Sequence, residues 1–267
     1  MSRERLRRAA EEELRALRDL GVEFLAGAFG RPSPSAAPPS GEAPCRPRGE
    51  RLPAAAKGPS LFDPPPRGDG TPPRDPATLE SVASELDAIA ARVRECRLCE
   101  IGCERRNAVP GEGPPGVDLL FVGEAPGADE DAQGRPFVGR AGQLLTKMIE
   151  AIRLRREDVF IANVLKCRPP ENRPPRPEEI SNCFPYLAKQ IALLRPKVIC
   201  TLGLHATQTV LATRASMGQL RGRVFASAGA QVVPTYHPAY LLRSPGEKGK
   251  AWEDLKLIAR LLGKPVD

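Results

Sequence analysis

D-L-L-F-V-G-E-A-P-G-A-D-E-D-A-Q-G-R-P-F-V-G-R-A-G-Q, residues 118–143, decides the fold. Leu119–Val122 is a short apolar run of the kind that forms a buried strand. It stops at Gly123-Glu124-Ala125-Pro126-Gly127. A glycine-rich acidic loop follows, and a helix is expected from about Gly139. In open parallel sheets, ligands bind in the crevice beyond the carboxyl ends of the strands. This stretch is therefore a candidate for the floor and wall of an active site.

Downstream, strand and helix signals alternate. The first strand is Val117–Val122, with Leu144, Leu145, Met148 and Ile152 lining its helix. Val159–Val164 is the second strand, and Ile180, Leu187, Ile191 and Leu194 mark the helix after Pro177. A third strand, Val198–Leu202, precedes a helix from about His205 to Leu211. The fourth, Gln231–Tyr236, is broken by His237-Pro238, and a final helix covers Lys250–Leu262. Such alternation implies a parallel sheet with helices on both faces. The expected fold is a three-layer α/β/α sandwich around a four-stranded parallel sheet.

Upstream, Asp75 is a suitable N-cap and Pro76 suits the first helical position. Leu79, Val82, Leu86, Ile89 and Val93 then share one helical face that delivers Cys96. A globular domain is expected over residues 76–267. Residues 29–75 are rich in Pro, Gly, Ala and Arg without a period, and read as a disordered linker. Leu6, Ala10, Leu14, Leu17, Leu20 and Phe24 form a helical stripe, so residues 1–28 read as an isolated amphipathic helix.

Composition bounds the rest. The chain of 267 residues carries thirty prolines, more than one compact domain uses, in keeping with the linker. Aromatics are only 4%, so the core is aliphatic. A net charge of +7 suits a polyanionic partner, because clustered Lys and Arg gain affinity by releasing counterions from nucleic acid. No run approaches the ~18 apolar residues of a membrane span, and the basic N-terminus lacks an apolar signal core. A cytoplasmic monomer is expected. In that compartment the seven cysteines are free thiols or metal ligands.

Cys96-x-x-Cys99 has metal-ligand spacing, and Cys103 extends it to a three-cysteine run. Cys167 and Cys183 lie farther on, while Cys200 sits among apolar strand neighbours as a small core residue. Four thiolates suit zinc or an iron–sulfur cluster. One close pair joined to two separated cysteines fits a cluster held between the first helix and the segment after the second strand. Spacing alone leaves Cys103 and the distant pair as alternatives.

Strand ends supply a second constellation. Glu124 follows the first strand, Asn163 ends the second, and His237 follows the fourth. In a parallel sheet these lie along one edge and can meet. Singly, each is an ordinary turn or cap residue; together, with only two histidines in the chain, they point to a site. His205 reads as structural.

These residues sit in longer motifs: C-R-L-C at 96–99, G-E-A-P-G at 123–127 and G-R-P-F-V-G-R-A-G-Q-L-L at 134–145. N-V-L-K-C-R-P-P follows at 163–170 and H-P-A-Y-L-L-R at 237–243. In order and content, residues 96–262 resemble a family-4, thermostable-type uracil-DNA glycosylase, the iron–sulfur branch of that superfamily. The first 75 residues lie outside the resemblance. It implies removal of uracil from DNA by cleavage of the N-glycosidic bond, initiating base excision repair. It implies a [4Fe-4S] cluster on Cys96, Cys99, Cys167 and Cys183, which decides against Cys103. Uracil-containing DNA is the implied partner.

The resemblance also distributes roles. A base must leave the stack to reach such a pocket. Glu124, Ala125 and Gly127 shape the pocket and Phe137 stacks on the base. Asn163 reads the uracil edge, and His237 donates to O2 as negative charge develops there. His237 before Pro238 would stand at a helix N-terminus, which disfavours imidazolium. Leu241 or Leu242 would wedge into the vacated stack, with Arg243 facing DNA. Lys166, Arg168, Arg173 and Arg176 would meet phosphates.

Two departures matter. Ala125 stands where better-known superfamily members place a water-orienting aspartate, and Gly127 stands where they use a tyrosine against thymine. Water activation then falls to Glu124, Glu130, Asn163 or the loop backbone, with Glu130 also a candidate for excluding thymine. The third motif reads H-P-A where many relatives have H-P-S. Two other readings are an iron–sulfur redox protein and a non-catalytic or covalently trapping uracil-DNA binder. The trapping branch carries an inserted basic loop after G-R-P-F-V-G, and this sequence has none.

Overall fold

A computed structural model describes residues 75–266 of the chain. The helix expected at 1–28 and the linker at 29–75, Asp75 excepted, lie outside the described residues. Helix α1, Pro76–Glu95, starts where the sequence places it: Asp75 accepts the Thr78 N–H at 2.9 Å and Pro76 opens the first turn. Its Val82, Leu86, Ile89 and Val93 are buried.

The remaining elements follow in chain order. Helix α2 is Ile101–Glu104, strand β1 Leu119–Gly123, α3 Ala128–Gln133 and α4 Arg140–Ala151. Strand β2 is Phe160–Asn163, α5 Pro177–Leu194, β3 Val198–Leu202 and α6 Leu204–Val210. Helix α7, Met217–Leu220, leads to β4, Phe225–Ser227, and β5, Ala230–Thr235. Helices α8, Pro238–Arg243, and α9, Lys248–Leu261, complete the described chain.

The sheet runs β2-β1-β3-β5-β4. Strands β2, β1, β3 and β5 are parallel and form the expected four-stranded body. A fifth strand, β4, pairs antiparallel with β5 and was not expected. It has only three residues, and its two-residue turn, Ala228-Gly229, takes φ of 50° and 77°. That is the positive-φ hairpin turn, but alanine replaces the Asn or Asp that would announce it.

Alternate strand residues feed two cores. Leu120, Val122, Phe160, Ala162, Ile199 and Val232 pack with α1 and α5 on one face. Leu119, Phe121, Ile161, Cys200 and Val233 pack with α4 and α9 on the other. Three layers result. The chain leaves β1 for β2 on one side and returns to β3 on the other, so a topological switch point lies beside β1, where doubly wound sheets bind ligands.

A buried carboxylate locks α9 to this sheet. Asp254, fully buried, accepts from Thr235 Oγ1 at 2.8 Å, Arg221 Nη2 at 3.0 Å and Gly222 N at 3.1 Å. Removing one partner of a buried ion pair costs about 3–5 kcal/mol. Asp254→Ala is expected to lower the unfolding free energy by about that much in denaturant titration, against about 1 kcal/mol for the exposed cap change Asp75→Ala.

Candidate active site at the strand ends

Gly123, the last residue of β1, is in register with Asn163, the last residue of β2. Pairing continues past both strands through Val164 N to Gly123 O at 2.9 Å and Leu165 N to Glu124 O at 3.0 Å. A Cβ on Gly123 would stand 2.3 Å from Asn163 Oδ1 and 2.6 Å from Phe137 Cζ. The missing side chain lets the amide and the ring pack directly on the Gly123 backbone. Asn163 is 1% exposed, and its Oδ1 has no hydrogen-bond partner among the described residues. A buried orphan acceptor costs about 1–3 kcal/mol, so one that persists needs a reason.

Phe137 forms the wall. Its φ of 51° is left-handed, a conformation costing about 1–3 kcal/mol for a side-chain-bearing residue. Its carbonyl lies against α4, where a Cβ at Gly142 would fall 1.9 Å from the oxygen. Glu130 fixes the other side of the loop. Its Oε1 accepts from Val138 N at 2.8 Å and Gly139 N at 3.0 Å, and its Oε2 from Gly127 N at 3.1 Å. Glu130 was a candidate for activating water and excluding thymine. With three backbone donors on its two oxygens, it straps the loop.

His237 caps α8. Its Nδ1 accepts the Ala239 N–H at 3.1 Å, which in a neutral ring leaves the proton on Nε2. Burial, and then Arg243, push its pKa down to about 4, with Glu130 opposing. The helix terminus was expected to keep it neutral; burial is the leading cause. Its ring centroid is 5.6 Å from that of Phe137. Behind it, Gly203 at φ 90° gives the close backbone approach, since a Cβ there would lie 3.1 Å from His237 Cβ.

The acidic loop divides its residues. Glu124 is half-buried, and burial raises its carboxyl pKa while His205 draws it down. Ala125 packs against the α1–α5 core. Asn163, Phe137 and His237 therefore converge, with Glu124 at the mouth of the same strand end.

The DNA-facing assignments separate. Leu242 is 42% exposed and Leu241 1%, so Leu242 is the outward residue, with Arg243 exposed beside it. Arg168 is half-exposed and bonds Asn172 Oδ1 at 2.9 Å. Arg173 pairs with Glu179 and Arg176 with Glu100. Lys166 is a correction: it is 1% exposed and cannot meet phosphate. Its ammonium donates to Asn163 O at 2.9 Å and Gln190 Oε1 at 2.7 Å. Gln190 in turn donates to Pro110 O at 2.9 Å. Lys166 holds the backbone carbonyl of Asn163, a task its place in a basic motif does not announce.

Cys96, Cys99, Cys167 and Cys183 line one cavity with Val93, Ile101 and Tyr186. Arg105 Nη1 donates to Cys167 Sγ at 2.8 Å and Lys166 N to Cys183 Sγ at 3.1 Å. Burial holds the Cys99 thiol up to about 11 and Cys183 up to about 12, so a metal's charge is what would draw off their protons. Among the described residues no three ligands close on a single-ion point. Cys200 is buried in β3, as expected.

The family model described as the uracil DNA glycosylase superfamily matches residues 110–256. A type-4 uracil-DNA glycosylase of Saccharolobus solfataricus is 45% identical over 191 residues, which is 68% of this chain and 88% of the relative. One of Archaeoglobus fulgidus is 43% identical over 187 residues, 67% and 94% respectively. The chain belongs to the type-4 uracil-DNA glycosylases. A type-5 uracil-DNA glycosylase of Pyrobaculum aerophilum is more distant, 34% identical over 152 residues, 50% of this chain and 66% of that one.

In this type-4 chain the neutral His237 has a kinetic signature. Its pKa is depressed to about 4, so the ring stays uncharged as pH falls from 8 into the carboxylate range. Single-turnover excision of uracil is expected to show no inflection near the ordinary imidazole value of about 6.5. An inflection there that vanishes in His237→Asn would establish a charged ring.

Proposed function

We propose that the chain hydrolyses the N-glycosidic bond of uracil in DNA, leaves an abasic site, and so opens base excision repair. The unpaired, buried Asn163 Oδ1 beside the Phe137 ring carries this reading. That oxygen accepts uracil N3–H while the amide N–H₂ donates to O4. Cytosine presents an acceptor and a donor at those positions, so both contacts fail. Sites built to hydrogen-bond a substrate reject mismatched analogues by about 10⁴–10⁵.

The base enters the slot flipped from the stack and lies against Phe137. Glu124, Ala125 and Gly127 shape the surrounding loop. As the C1′–N1 bond breaks, its electrons pass into the uracil ring and charge gathers on O2. The His237 Nε2–H donates to that oxygen without first losing a charge, a matching of neutral donor to developing anion. Glu124, with its pKa raised by burial, accepts the proton of the water that adds to C1′. Leu242 fills the gap in the stack, and Arg243 and Arg168 meet the backbone. The pocket is assembled within one chain.

The four cysteines fit a [4Fe-4S] group. They surround one cavity, and two of their sulfurs already receive N–H donors of the kind that stabilise cluster thiolates. Such a group would supply a cross-link between α1, the segment after β2 and α5.

Excision is read as alkali-dependent strand breaks in a single-uracil oligonucleotide. His237→Ala is expected to slow it about 10²–10³-fold. Asn163→Asp is expected to lose uracil and gain cytosine excision; unchanged uracil specificity would overturn the role of the amide. A heat-stable protein–DNA adduct in place of breaks would identify a trapping protein. Cys183→Ala is expected to reduce bound iron and visible charge-transfer absorbance, while Cys200→Ala leaves both unchanged.

A further inference from the structure

Phe137 cannot hold its left-handed conformation alone, and the group that holds its carbonyl lies outside every motif. Arg156 opens the short 3₁₀ turn Arg156–Asp158, just before β2. Its Nη1 donates to Phe137 O at 3.1 Å and its Nη2 to Pro136 O. The guanidinium is itself aimed: its Nε lies 3.7 Å from Glu112 Oε1, and Glu112 is held by two 2.8 Å hydrogen bonds from Arg135. Glu112 is pinned to β2, because its N–H and C=O exchange bonds with Ile161 at 2.9 and 2.8 Å.

We propose that Arg156 is a positioning residue for uracil excision, clamping the Pro136 and Phe137 carbonyls so that the Phe137 ring stands parallel to the flipped base. Two chain segments meet in this clamp. The same strand that carries Asn163 at its end carries the Glu112–Arg156 anchor at its start. Floor and wall of the pocket are thus referenced to one rigid element. Glu130 completes the arrangement from the other side, through the N–H groups of Val138 and Gly139 that follow the ring. Arginine suits the task, because one planar fork reaches two successive carbonyls while its Nε faces a carboxylate. The proposal rests on the stacking role given to Phe137.

The test is a double-mutant cycle on the full chain, with single-turnover excision from a single-uracil oligonucleotide as readout. Misplacing a reacting group by about 1 Å can cost on the order of 10²-fold, so Arg156→Met is expected to slow excision about 10–100-fold. In a Phe137→Ala background the same change is expected to add less than about 3-fold, because the ring it positions is gone. Arg156→Lys, with one centre of donors, should recover part of the loss, and it serves for the cycle if Arg156→Met does not fold. Equal losses from Arg156→Met in both backgrounds would show that Arg156 acts elsewhere and overturn the clamp. No loss from Arg156→Met, with a large loss from Phe137→Ala, would overturn the clamp and leave stacking intact. No loss from Phe137→Ala would remove the stacking role and the clamp with it.

Discussion

One absent side chain sets the geometry of this molecule. Gly123 faces Asn163 across the β1–β2 pair, and any Cβ there would fall 2.3 Å from the amide oxygen. Parallel pairing fixes the two strand ends side by side, and the bonds to Val164 and Leu165 carry that register beyond the sheet. The two strand ends are therefore fixed by backbone pairing. Phe137, Glu130 and His237 are then arranged about them, each held by further backbone contacts. A site built on strand ends is stiffer than one built on loops alone.

Much of this was legible in the sequence. Hydrophobic runs gave the parallel strands and their order along the chain. Asn163 and His237 could be placed on one edge because parallel topology collects strand ends there. What the sequence hid was each residue's surroundings: sequence shows a residue's type but not its burial, its partners or its backbone conformation. Lys166 sits in a basic motif and reads as a phosphate ligand, yet it is 1% exposed and bonds Asn163 O and Gln190. Glu130 lies in an acidic run and reads as chemistry, yet it satisfies three backbone donors. Strand β4 was hidden because an alanine adopts the turn conformation normally marked by asparagine.

Lys166 also joins the two halves of the site. Its backbone N–H reaches Cys183 Sγ and its ammonium reaches the carbonyl of Asn163. One residue thus touches both the cysteine cavity and the strand end that carries Asn163. Burial pushes its pKa down to about 8, with Cys183 and Cys167 opposing. No carboxylate bonds it among the described residues; a carbonyl and an amide do.

The unpaired Asn163 oxygen has a thermodynamic side as well. A buried acceptor without a protein donor is a local deficit in folding free energy. Any molecule that presents an N–H there relieves the deficit, and by mass action shifts the folding equilibrium toward the native state. Free uracil presents the same edge as the base in DNA. On the proposed reading of Asn163, the product of the reaction would also stabilise the resting protein, and occupancy at the amide and resistance to unfolding would become two readings of one missing hydrogen bond.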